Sequence, residues 1–275
     1  MALNPRSLLF TLYGDYVEAL GESGARVGAL IKIAEALGVT STALRTALSR
    51  MKREGWLEVE RSRGRGIYRL TARGSTLIRE GTRRIYERRP TWNGNWLVVA
   101  YSLTERRRRQ RERLRSRLSF LGFGSLGNGI WVSPHDLRTG VREILASNGV
   151  AGDVTVVYGV LDWPIDAVAL VARAWNLDAL AERYAEFVAR HDAAFRQDRE
   201  RIRRRQLDDR EAFCRRFMLT HEFRRFPFAD PDLPAALLPD QWIGHRARAL
   251  FLEYNRRLKA GAERFFLSLA RGEGN

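Results

Sequence analysis

The sequence predicts an α+β chain of several domains, and three observations lead there. Segments with helical spacing of apolar residues fill both ends of the 275 residues. Between them lie short apolar runs rich in β-branched and aromatic residues, the pattern of strands. Two glycine-containing turns, RSRGRG and LGNG, each stand between two such runs. The length suffices for two or three small domains with a substantial core.

The first helix is expected over 5–20: Pro5 opens it, and Leu8, Leu9, Leu12 and Tyr16 follow at helical spacing. GESG at 21–24 breaks it. A second helix over 27–37 carries Val27, Leu30, Ile31, Ala34 and Leu37 on one face and ends at Gly38. After the turn VTST comes TALRTALSRMKREG, with a buried stripe of Leu44, Ala47, Leu48 and Met51. A rotation of about 100° per residue puts Thr42, Arg45, Thr46, Ser49, Lys52 and Arg53 on the opposite face. That face holds cations and hydrogen-bond donors and no acid. Two short strands, 56–60 and 67–70, then flank the tip RSRGRG, loaded by Arg61, Arg63 and Arg65.

Helix, turn, helix, basic hairpin is the order of a winged helix-turn-helix, whose second helix enters the DNA major groove while the wing meets phosphate or the minor groove. Arg45, Thr46 and Ser49 are the candidates for base edges. Ser41, Thr42, Arg50, Lys52, Arg53 and the wing arginines are the candidates for phosphates, which fix register without reading sequence. The charge agrees. With 48 Lys and Arg against 32 Asp and Glu, the net is +16, which suits a polyanionic partner.

A helix over 71–88 and the linker PTWNGN lead to WLVVAYSL, a buried strand at 96–103. TERRRRQRERLRSRLSFLGF follows as a helix with Thr104 as its N-cap. Its eight arginines between Arg106 and Arg117 form either a nucleic-acid face or the solvated side of a helix held by Leu114 and Leu118. GFGSLG, from Gly122, fits the G-x-G-x-x-G spelling of a dinucleotide loop. That loop follows a strand and opens a helix, whereas here a helix precedes and a strand follows. Asn128-Gly129 instead signals a two-residue hairpin turn between GSL and GIWV. A helix in HDLRTGVREILASNG and a strand at 153–161 complete a β-α-β-β-α-β order, that of a ferredoxin-like domain.

The rest is helical. Leu177, Leu180, Tyr184, Phe187 and Val188 line one side of a long amphipathic helix. RQDRERIRRRQLDDREAF reads as charged helix or loop, EAFCRRFMLTHEFRRF as helix, PFADPDLPAALLPD as a proline-rich break and QWIGHRARALFLEYNRRLKAGAERFFLSLA, 241–270, as a closing helix. The division along the chain is 1–90, 91–170 and 171–275. His135, His191, His221 and His245 lie too far apart for a metal motif, and the single Cys214 excludes an internal disulfide. No apolar run approaches the roughly 20 residues of a membrane span. The start of the chain lacks the pattern of a secretion signal, so a cytoplasmic protein without membrane, metal or cofactor is expected.

RSLLFTLYGDYV, TALRTALSRMKREGWLEVERSRGRGIYRLTARG, RLRSRLSFLGFGSLGNGIWVSP and RRFPFADPDLPAALLP together resemble the PaaX family, in the family's order and over most of the chain. The resemblance implies a homodimeric, non-enzymatic repressor of a phenylacetate catabolic operon. Its partners would be a double-stranded DNA operator and an aryl-CoA thioester, typically phenylacetyl-CoA, that releases it. A CoA ester needs cations for its phosphates and an apolar slot for its ring. Arg204, Arg205, Arg215, Arg216, Arg224 and Arg225 are candidates for the first, and Trp175, Tyr184, Phe217 and Trp242 for the second. A regulator answering to another acyl-CoA is an alternative. The central domain also resembles the small nuclease of CRISPR adaptation modules, so a metal-dependent nuclease is a further alternative. That nuclease carries an Asp at the end of its first strand. Here Tyr101 and Ser102 stand there, and a serine supplies no anionic oxygen for Mg²⁺.

Overall fold

The computed structural model describes residues 3–22, 24–62, 65–87, 91–162, 166–227 and 229–271; of Arg61, Ser62 and Arg65 it describes the backbone alone. The chain is α+β, mostly helical, with two small antiparallel sheets and a helical C-terminal part. By contacts it forms two compact units, one of 1–87, 187–224 and 247–275 and one of 88–186 and 225–246.

In the first unit, α1 (Pro5–Leu12) is capped by Asn4, whose side chain accepts from the N–H groups of Arg6 and Ser7. The helix expected to run on to residue 20 changes hand-hold at Tyr13: Tyr13–Glu18 is a π-helical turn, which inserts Asp15 into the interior. β1 (Ala25–Arg26) precedes α2 (Val27–Ala36) and α3 (Ser41–Arg53). β2 (Leu57–Ser62) and β3 (Arg65–Leu70) form the hairpin, one or two residues longer than expected, with Ser62 paired to Arg65. The two-residue β1 was not expected. It pairs with β3, Ala25 to Tyr68, and makes the sheet three-stranded in the order β1-β3-β2. α4 (Ala72–Tyr86) follows, capped by Thr71.

Glycine in the left-handed region ends both α2 and α3. Gly38 and Gly55 hold φ of +76° and +75°, and the next N–H reaches back to the last turn: Val39 to Ala34 at 2.8 Å, Trp56 to Met51 at 2.9 Å. The core of this unit joins Leu8, Leu9, Leu12, Leu30, Ile33, Leu44, Leu48 and Met51 to Phe213, Phe217, Ala262 and Phe266. Residues more than 150 positions apart in sequence thus share one apolar interior.

A buried polar knot completes it. Tyr86 donates to the Asp15 carboxylate at 3.0 Å, the Arg216 guanidinium lies 3.9 Å from the same carboxylate, and Asn255 accepts from Arg216 and donates to Thr220. Burial pushes the Asp15 carboxyl above its ordinary range, and Arg216 with the Thr220 and Tyr86 hydroxyls opposes that shift.

In the second unit, β4 (Asn95–Tyr101), α5 (Arg108–Leu121), β5 (Gly124–Gly127), β6 (Ile130–Ser133), α6 (Arg138–Asn148) and β7 (Val154–Val160) follow in order. The sheet order is β5-β6-β4-β7, all antiparallel. Thr104 stands at the N-cap position of a 3₁₀ turn, Glu105–Arg107, and not of α5, and its side chain makes no capping hydrogen bond there. Leu97, Val99 and Trp131 on one sheet face meet Leu114, Leu118, Val141, Ile144 and Leu145 of the two helices. α7 (Ala167–Ala174), a short helix not anticipated, packs on β5.

Three helices remain. α8 (Leu177–Arg203) resolves part of the charged run as helix, α9 covers Asp209–Phe223 and α10 covers Ile243–Arg271. α8 and α10 each pass from one unit into the other. Among the described residues no helix is long and apolar enough to cross a membrane.

Candidate nucleic-acid interface

α3 carries the candidate contacts because its sequence leaves one face without apolar groups. Leu44, Leu48 and Met51 are wholly buried against α1 and α2. On the other side Thr42, Arg45, Thr46, Ser49, Arg50, Lys52 and Arg53 are exposed, with Ser41 half-buried at the first turn. Thr40, inside the turn VTST, caps the helix and accepts from the N–H of Ala43, so the helix starts at Ser41, one residue earlier than expected.

The exposed side chains differ in how free they are. Among the described residues, Arg45, Lys52 and Arg53 have no carboxylate partner. Arg50 has one: its Nε donates to Glu54 at 2.9 Å, and Arg6 reaches the same carboxylate at 2.8 Å. Trp56 Nε1 donates to Glu54 as well, at 3.1 Å. The Arg50 guanidinium holds the Glu54 carboxyl below its ordinary range. Arg50 is thus part of a clamp on the end of α3. The Thr46 hydroxyl donates to the Thr42 carbonyl at 3.0 Å, so it offers an outside partner its lone pairs first.

The hairpin lies beside this helix in sequence and packs on it through β2. Arg61 is the penultimate residue of β2 and Arg65 the first of β3, opposite Gly66 and Ser62 respectively. Arg63 lies outside the described residues, as do the side chains of Arg61 and Arg65. Two cations that sequence reasoning did not single out belong to the same unit. Arg26 is exposed on β1, and Arg73 at the start of α4 stacks over Trp56 at 4.1 Å. The N–H pairing that places Arg26 opposite Ile67 is non-local, and no spacing signals it.

The residues read as an effector set are divided. Arg204, Arg205, Arg215, Arg216, Arg224 and Phe217 fall in the first unit; Arg225, Trp175, Tyr184 and Trp242 fall in the second. Arg204 is exposed and paired with Glu200 at 2.7 Å, and Arg205 is exposed at the end of α8. Arg215 donates to Asp198 and Glu211, each at 2.6 Å. Arg216 belongs to the buried knot and lies 4.9 Å from the centre of the Tyr16 ring. Arg224 donates to Ser7. Phe217 is core. Within the second unit the aromatic side chains do meet: Tyr184 stacks on Phe226 at 4.1 Å and stands edge-on to Trp242 at 6.2 Å. Trp175 instead donates to the Gly122 carbonyl at 3.3 Å, and Arg225 is exposed.

Three of the four histidines are engaged elsewhere. His191 bonds Glu222 at 3.0 Å, His221 bonds Thr11 at 2.9 Å, and His135 meets the carbonyl of Asp232 at 2.9 Å. Among the described residues no three His, Cys, Asp or Glu side chains gather as a metal site. Cys214 is half-buried, and burial pushes its thiol up, away from thiolate chemistry.

Three family models match the chain in succession: the PaaX-like protein over 4–74, the PaaX protein central Cas2-like domain over 89–171 and the PaaX-like protein C-terminal domain over 175–268. The transcriptional repressor PaaX of Escherichia coli (strain K12) is 31% identical over 265 residues, which cover 94% of this chain and 82% of that one. Among solved structures, the uncharacterized protein Rv0674 from Mycobacterium tuberculosis shares the fold. Its TM-score is 0.64 at 24% identity, over 95% of this chain and 98% of the other.

Proposed function

Because the chain belongs to the PaaX family, a family of transcriptional regulators and not of enzymes, we propose that it is a DNA-binding repressor of an aromatic catabolic operon. The observation that carries the proposal is the exposed face of α3, where Arg45, Lys52 and Arg53 stand without a carboxylate partner among the described residues. A cationic helix face with no internal counter-charge is the electrostatic footprint of a phosphate-binding surface.

We read α2, α3 and the β1-β3-β2 sheet as a winged helix, with α3 in the major groove and the hairpin arginines Arg61, Arg63 and Arg65 on phosphate or in the minor groove. Arg45 and Ser49 would read bases. Ser41, Thr42, Lys52 and Arg53 would hold phosphates, while Thr46 contributes through its lone pairs and Arg50 chiefly orients the helix end. We read the second unit, with its strand order β5-β6-β4-β7, as a ferredoxin-like domain and assign it a scaffold role. The end of β4 offers Tyr101 and Ser102 where a nuclease of this shape needs an acid, and this supports regulation over cleavage.

The repressor would act in the cytoplasm as a homodimer on a palindromic operator, with half-site spacing set by the dimer. Its effector would be an aryl-CoA thioester such as phenylacetyl-CoA. Such a ligand releases DNA only by binding the DNA-incompetent state more tightly. Fluorescence anisotropy on a promoter fragment from the chain's own operon tests the reading. Arg45→Ala is expected to weaken specific binding by about 1–3 kcal/mol while leaving non-specific binding nearly unchanged. Phenylacetyl-CoA, and not free phenylacetate, is expected to release the fragment. Equal affinity for the fragment and for random duplex would overturn the assignment.

A further inference from the structure

The glycine-rich hairpin that fails the order of a dinucleotide loop nevertheless borders a cavity of about 350 Å³ within the second unit. Arg111 and Arg115 line it from α5, Ser102 from the end of β4, and Ser125, Asn128 and Trp131 from the β5–β6 hairpin. The two arginines are four residues apart and so share one helix face. Among the described residues no Asp or Glu lines the cavity. Glu105, which accepts from Arg111 at 2.9 Å, is outside the lining, as is Glu112, which pairs with Arg115 at 3.8 Å.

The glycines make this approach possible. Gly127, Asn128 and Gly129 all hold left-handed φ, at +89°, +50° and +77°. A Cβ on Gly129 would stand 2.2 Å from the Tyr101 carbonyl oxygen. The turn therefore lies directly on the end of β4, with Tyr101 N–H donating to the Gly129 carbonyl at 3.1 Å. Two guanidiniums, two hydroxyls and one amide then converge beside a largely buried indole. With no carboxylate in the lining, these donors favour an acceptor-rich anion, which would compete with Glu105 for Arg111 and with Glu112 for Arg115, and arginine forks match phosphate oxygens in particular. The volume is at the small end of ligand pockets and suits one nucleotide-sized group.

We propose that this cavity binds the phosphorylated end of a small nucleotide-type ligand. Trp131 and Tyr101 supply its apolar wall. The effector proposed above ends in an adenosine bearing 3′- and 5′-phosphates; assigning that ligand to this cavity rests on that reading, whereas the phosphate chemistry does not.

The test is calorimetric titration of the full chain with adenosine 3′,5′-bisphosphate and with adenosine. Arg115→Glu is compared with Arg109→Glu, which makes the same charge change at an exposed site of the same helix outside the cavity. The bisphosphate is expected to bind the wild type and Arg109→Glu alike and to bind Arg115→Glu at least about tenfold more weakly, the scale of one lost charge-assisted contact. Adenosine is expected not to bind. Equal binding to the two variants, equal binding of adenosine, or displacement of the bisphosphate by a short DNA duplex would overturn the pocket. A melting curve verifies that Arg115→Glu folds, as its half-exposed side chain leads one to expect. Phenylacetyl-CoA separates the two readings. If it never releases DNA from the wild type while the bisphosphate behaves as expected, the effector reading fails and the pocket stands. If it releases DNA from Arg115→Glu at wild-type concentrations, the pocket is not its site.

Discussion

Glu211 accepts from Arg201 through both guanidinium nitrogens, at 2.6 and 2.7 Å, and from Arg215 at 2.6 Å. Arg215 also donates to Asp198, which is fully buried and takes the Tyr254 hydroxyl as well. One acid thus ties α8 to α9, and its buried neighbour adds α10. These bonds hold the Glu211 carboxyl down to about 2 from an ordinary 4.5. A depressed carboxyl stabilises the fold fully above its unfolded value and loses that contribution as pH falls towards its folded value. The wild type is therefore expected to lose stability between about pH 4.5 and 2 through this group. In urea unfolding at pH 7, Glu211→Gln should cost on the order of 1–2 kcal/mol, the shift being discounted for solvent screening. The difference between the two proteins should vanish near pH 2. A constant difference across that range would assign the role to packing and not to charge. The pairing of Arg215 with Glu211 was legible as an i,i+4 spacing. Arg50 with Glu54 was equally legible, and overlooking it placed Arg50 among the freely available cations. The third arm of that clamp, Arg6, is 48 residues away and gives no local signal.

At the scale of elements, the turn at Asn128-Gly129 shows what local chemistry can specify. Its left-handed backbone follows from the residue types alone, and the structure puts the turn where the dipeptide predicts. Gly129→Ala meets both a left-handed φ and the Tyr101 carbonyl 2.2 Å from the new Cβ. It should destabilise the protein by more than about 2 kcal/mol. Gly127→Ala meets the same backbone demand in open space, so it should cost only about 1 kcal/mol. Equal unfolding midpoints for the two variants would remove the close approach from the account. Helix periodicity likewise made α2 and α3 readable to within a residue or two. The elements missed share a cause. β1 is two residues long and exists because β3, some 40 positions later, pairs with it. The π-helical turn at Tyr13–Glu18 follows from where Asp15 finds Tyr86 and Arg216, and neither is near in sequence.

On the scale of the whole molecule, the chain reads as three successive segments and packs as two units. Tyr16 meets Phe213 and Phe266 at 5.0 and 5.3 Å, so the C-terminal helices complete the core under α1. Periodicity marks Phe213 and Phe266 as core residues and is silent on whose core they join. The same limit explains the effector set: residue chemistry nominated ten side chains, and tertiary pairing had already engaged Arg215, Arg216 and Arg224, while Arg204 holds a local partner, Glu200, four residues earlier. The basic face of α3 was legible because it needs no partner within the chain.

The measurement that bears most directly on the central claim is the salt dependence of duplex binding by the wild type and by Lys52→Ala/Arg53→Ala. Each phosphate contact contributes about 0.9 to the slope of log K against log salt. If α3 lies on DNA as proposed, the double variant retains its fold and its slope flattens by roughly 1.8. An unchanged slope at unchanged affinity would contradict the account, because the cations of α3 would then face something other than nucleic acid.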